Sequence, residues 1–108
     1  MEKSLLENFQ LLNLTNLAAT ELKLKDYENV YYTCNEAIRL DPNNSKAFYR
    51  RGLSHLERKN YELALDDLKQ AHTLIPDDKL IIKDFDKAKK LLLDYRQIEK
   101  LNYKKLFQ

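Results

Sequence analysis

Two stretches, KDYENVYYTCNEAIRLDPNN (Lys25–Asn44) and KNYELALDDLKQAHTLIPDD (Lys59–Asp78), superimpose at an offset of 34 residues. Lys25/Lys59, Tyr27/Tyr61, Glu28/Glu62, Ala37/Ala71, Leu40/Leu74 and Pro42/Pro76 coincide, and Val30/Ala64 and Cys34/Leu68 are small or apolar in both. A repeat of this period marks a chain built from stacked supersecondary units, none of which buries its own apolar face alone.

Each unit reads as two helices. Leu14, Leu17, Ala18 and Leu22 fall on one helical stripe. Asp26 and Asn60 precede the second helix of each pair as N-caps. Pro42 and Pro76 end those helices, since proline cannot continue one. Ser4 with Glu7 has the spacing of a capping box. The pattern predicts helices over about 4–24, 27–40, 44–58, 61–74 and 78–106. Ile81, Phe85, Ala88, Leu92 and Tyr95 form a stripe on the last helix that can cover the open end of the stack, and its second half is expected to outrun the repeats.

Composition agrees. One glycine and two prolines in 108 residues leave little room for sheet turns or phosphate loops, so the expectation is all-α. Nineteen basic against 17 acidic residues give a net charge of +2, too balanced to argue for nucleic acid. Cys34 is the only cysteine, which excludes an internal disulfide and fits a reducing, cytoplasmic setting. No apolar run approaches a membrane span, and the N-terminal residues lack a secretory core.

The period and its residues resemble the tetratricopeptide repeat, with units 11–44 and 45–78 preceded by an N-terminal helix extension at 1–10. Residues 79–108 then form a capping helix, and 1–108 one domain, a right-handed helical solenoid. Glu21 and His55 depart from the family pattern where an aromatic is usual, and Arg51 where an apolar residue is usual. In this fold the first helix of each unit lines the concave surface. The resemblance puts Leu12, Thr15, Asn16, Ala19 and Lys23 there from the first unit, and Lys46, Tyr49, Arg50, Leu53 and Glu57 from the second.

Lys46 and Arg50 are one turn apart on one face, and Asn16 occupies the same place in its unit as Arg50. An amide, an ammonium and a guanidinium together suit a carboxylate ligand. They resemble three of the five positions of the dicarboxylate clamp that grips the Glu-Glu-Val-Asp terminus of heat-shock proteins 90 and 70. By that resemblance Asn16 and Lys46 hold the terminal Asp and Arg50 an acidic side chain, with Leu12, Thr15, Ala19, Lys23, Tyr49 and Leu53 as further groove contacts. The remaining two clamp residues belong to a repeat that would lie upstream of Leu11, so the clamp is partial: either the chain is a fragment or a short paralogue, or its binding is weaker. The segment from Leu14 to Leu56 and the closing EKLNYKKLF (Glu99–Phe107) resemble the repeat domain of the large immunophilins, prolyl isomerases that serve as co-chaperones. The implied function is a co-chaperone adaptor. The alternatives are a C-terminal piece of such an isomerase, or a repeat scaffold for a different protein partner.

Arg51 falls outside the groove, at a packing position, where it is expected to snorkel or pair at the core edge. Cys34 is expected as a small apolar filler, and His55 and His72 as packing or surface residues. Asp66, Asp67, Asp84 and Asp86 are spaced as solvated faces. No nucleophile, base and orienter assemble, and no metal-ligand set, so neither catalysis, metal nor cofactor is expected. From Lys87 to Gln108 there are seven basic and two acidic residues interleaved with apolar ones. Such a helix can bind calmodulin, an acidic membrane or RNA, or self-associate, but a capping helix with a soluble face is the plainer expectation.

Overall fold

A computed structural model describes residues 4–108. Five helices run in order: α1 (Leu5–Lys23), α2 (Tyr27–Leu40), α3 (Ser45–Glu57), α4 (Tyr61–Leu74) and α5 (Lys79–Leu106), with no strand among the described residues. Each lies within two residues of its expected bounds. α1 packs on α2, α2 on α3, α3 on α4 and α4 on α5, while α1 meets α3 and α3 meets α5. Three first helices therefore stand side by side, with the second helices behind them.

The connections explain the bounds. Ser4 Oγ accepts the Glu7 N–H and caps α1. Asn44 Oδ1 accepts the Ala47 N–H at 2.9 Å, and Asp78 Oδ1 accepts those of Leu80 and Ile81, so α3 and α5 are capped by side chains. Asp26 and Asn60 stand at the N-cap positions of α2 and α4, but neither caps with its side chain. The turns before them are closed by backbone instead. Lys25 and Lys59 adopt positive φ, 60° and 64°. That lets Asp26 N–H reach the Glu21 carbonyl at 2.9 Å and Asn60 N–H the His55 carbonyl at 2.8 Å. A lysine held in this left-handed region costs about 1–2 kcal/mol. Replacing Lys25 or Lys59 with glycine is therefore expected to raise the unfolding free energy by about 0.5–1 kcal/mol each, read from urea denaturation.

The core has two centres. Ala18, Val30, Cys34, Ala37 and Ala47 form one, against Leu11, Leu14, Leu22 and Ile38. Leu56, Ala64, Leu68 and Ala88 form the other, against Tyr49, Tyr61, Leu65, Phe85 and Leu91. α5 covers the second centre with buried Ile81, Ala88 and Leu92, and every residue after Leu92 is exposed. At 1.5 Å per residue its 28 residues span about 42 Å, so the last part projects beyond the repeats.

Leu17 departs from the expected stripe: it is 48% exposed. Arg51, its counterpart 34 residues on, meets α2 of the preceding unit through Asn35. No described hairpin stands on the corresponding side of α1.

Gly52 sets the approach of α3 to α4. A Cβ there would lie 3.0 Å from Leu68 Cγ and 3.2 Å from Asp67 Cβ. Leu68 is fully buried and Asp67 is held by Arg51, so neither can yield easily. Alanine favours helix over glycine by about 1 kcal/mol, but overpacking costs about 1–3 kcal/mol. Gly52→Ala is expected to lower stability by up to about 2 kcal/mol, the overpacking cost less the helix gain, measured by urea denaturation.

Candidate peptide-binding groove

α1 and α3 are the first helices of consecutive hairpins and lie side by side. Arg50 links them: its Nη1 donates to the Thr15 carbonyl, one residue before Asn16. Asn16 itself is exposed, and its own carbonyl accepts the Thr20 hydroxyl. Lys46, a turn before Arg50, is exposed and lines a cleft of about 340 Å³ with Asn8, Leu11, Leu12, Thr15 and Asp41. Neither Lys46 nor Arg50 pairs with a carboxylate among the described residues.

The other groove positions divide. Leu12 is exposed and shares the Lys46 cleft. Lys23, Leu53 and Glu57 meet at a second recess, of about 410 Å³, with Leu22 and Tyr27. Ala19 is half-buried. Thr15 offers no free side chain: it is buried and its hydroxyl donates to the Leu12 carbonyl. Its part in the groove is the carbonyl that props Arg50. The Tyr49 hydroxyl is likewise engaged, donating to Asp84 Oδ2 at 2.5 Å. Burial and that carboxylate both push its ionisation up.

Arg51 turns the other way. It donates from Nε and Nη2 to the two oxygens of Asp67 at 2.8 and 2.7 Å, and from Nη1 to Asn35 Oδ1 at 2.7 Å. One side chain thus ties α2, α3 and α4 together. Asp67 is buried rather than solvated, because Arg51 balances its charge. His55 is buried beside it, Nε2 at 3.7 Å from Asp67 Oδ2, and burial holds its ionisation below the ordinary range. Cys34 is fully buried, which pushes its thiol up to about 12. That makes it a packing group and not a nucleophile. Asp84 also departs from a solvated face: it is half-buried against Tyr49. The signal was present in the sequence, since Asp84 lies 34 residues beyond Arg50 and so shares its register. Among the described residues no cluster of three or more His, Cys, Asp or Glu could hold a metal, and no helix is long and apolar enough to cross a membrane.

Residues 45–78 match the model of the tetratricopeptide repeat. The chain is 36% identical over 96 residues to peptidyl-prolyl cis-trans isomerase D of Kluyveromyces lactis, covering 85% of this chain and 26% of that protein. It is 41% identical over 64 residues to human peptidyl-prolyl cis-trans isomerase FKBP4, covering 59% of this chain and 14% of that one. The chain thus spans about a quarter or less of either isomerase. Among solved structures it is similar to the second tetratricopeptide repeat domain of human RPAP3 in complex with the HSP70 peptide SGPTIEEVD. There the TM-score is 0.69 at 33% identity, covering 73% of this chain and 66% of that one. With two units in register and one of them matched to the family model, the chain belongs to the tetratricopeptide repeat family.

Proposed function

We propose that this chain is a non-enzymatic adaptor that binds the acidic C-terminal tail of a chaperone, a Glu-Glu-Val-Asp terminus of the kind carried by heat-shock proteins 90 and 70. The observation that carries this reading is the pair of cations, Lys46 and Arg50, left without carboxylate partners among the described residues where α3 meets α1 beside Asn16. Asn16 and Lys46 take the terminal Asp, and Arg50 takes an acidic side chain. Arg50 is already oriented by the Thr15 carbonyl, which lowers the cost of fixing it on binding. The likeness to the RPAP3 domain, solved with an HSP70 peptide, supports the ligand class, and the kinship with isomerase repeat regions supports the co-chaperone role. The same reading takes 11–44 and 45–78 as the units and 79–108 as the cap, and places the protein in the cytoplasm.

The test is isothermal calorimetry with SGPTIEEVD and its C-terminally amidated form. Amidation removes a charge-assisted contact and is expected to weaken binding by about tenfold or more. Equal affinity for the two peptides would overturn the proposal, and a scaffold for a different partner would bind neither.

A further inference from the structure

The contact between first helices is built twice. Arg50 of α3 meets Thr15 of α1, and Asp84 of α5 meets Tyr49 of α3; each pair is 35 residues apart. The repeat thus continues into α5 at this level, and Asn16, Arg50 and Asp84 hold equivalent places on three adjacent helices. The chemistry changes sign along that row. At the first junction a guanidinium donates, and at the second a carboxylate accepts. Tyr49 occupies Oδ2 of Asp84, while Oδ1 has no protein donor among the described residues and is not sealed from solvent. Among the described residues no lysine or arginine pairs with it: the ion pairs on α5 there are Lys89–Asp86 and Arg96–Glu62.

Packed helices stand about 8–10 Å apart, and an extended peptide advances about 3.3 Å per residue. A ligand running from Arg50 across to α5 therefore brings a residue about three places further along to Asp84. A carboxylate at that point attracts a cationic side chain and repels an acidic one.

We propose that Asp84 is a specificity-determining residue, and that the groove selects peptides with an acidic C-terminus and a lysine or arginine about three residues upstream of the residue held at Arg50. This rests on the carboxylate-binding reading above. The sign change makes the groove dipolar, so it distinguishes among acidic tails instead of accepting every one.

The test is fluorescence anisotropy with SGPTIEEVD and variants in which lysine or glutamate replaces each residue upstream of the terminal two in turn. At one position lysine is expected to bind about fivefold tighter than glutamate, the size of one partly exposed ion pair. Asp84→Asn keeps an acceptor for Tyr49 but loses the charge, and its lysine-to-glutamate ratio is expected to fall to about one. Tyr49→Phe keeps the charge and is expected to retain the preference. A flat pattern in a protein that binds the parent peptide overturns this proposal alone, as does a preference that survives Asp84→Asn. Absence of binding to the parent peptide overturns both this and the carboxylate reading.

Discussion

Replacing Lys46 and Arg50 together with alanine is expected to reduce affinity for a Glu-Glu-Val-Asp peptide by about a hundredfold or more, while the protein stays folded. Each charge-assisted hydrogen bond contributes about 1.5–3 kcal/mol, and about 1.4 kcal/mol is a factor of ten. The loss falls on binding because neither side chain supports the core. Lys46 is exposed, and among the described residues Arg50 makes one side-chain hydrogen bond, to the Thr15 carbonyl. That bond contributes about 0.5–1.5 kcal/mol to stability at most. The single variants separate the roles. Lys46→Ala removes a point charge, so its loss should shrink steeply with added salt. Arg50→Lys keeps the charge but loses the planar fork, so it should recover little if Arg50 binds bidentately. Calorimetry measures the affinity and a thermal melt the integrity. Undiminished affinity in the double variant would sink the clamp.

The repeat, the helix bounds and the separation of Arg51 from its neighbours were legible in the sequence because each follows from local rules. Pro42 and Pro76 stop helices wherever they stand, and the 34-residue offset places Arg50 and Arg51 on different faces of one helix. What escaped depends on neighbours. A stripe containing Leu17 shows that one face of α1 is apolar; it does not show whether another hairpin stands on that face. Asp26 and Asn60 have the residue type of side-chain caps, but the positive φ at Lys25 and Lys59 lets backbone groups close the turn. Asp67 and Asp84 look like ordinary surface carboxylates in a charged chain. Their partners, Arg51 and Tyr49, lie on another helix, and charge is buried only where such a partner meets it.

Asp67→Ala is expected to cost about 3–5 kcal/mol of unfolding free energy. Asp67 is 6% exposed and accepts both parallel bonds of the Arg51 fork. Removing it leaves a half-buried guanidinium whose remaining protein acceptor is Asn35. It also leaves the buried His55 beside that cation without the carboxylate that offsets it. Arg51→Ala leaves the opposite charge stranded in the same place and should cost a similar amount. The combination of Arg51→Met with Asp67→Leu strands neither, and is expected to recover much of the loss, since apolar residues of similar volume often replace a buried pair with little penalty. Chemical denaturation of the two single variants and the double variant measures the coupling. If Asp67→Ala cost no more than a surface substitution, about 0.5 kcal/mol, the pair would be an incidental contact and not the tie between α2, α3 and α4. The same experiment separates the two adjacent arginines. Arg50→Ala should leave the denaturation midpoint nearly in place, whereas Arg51→Ala should move it far. One residue position on α3 then divides a side chain that serves the ligand from one that serves the fold.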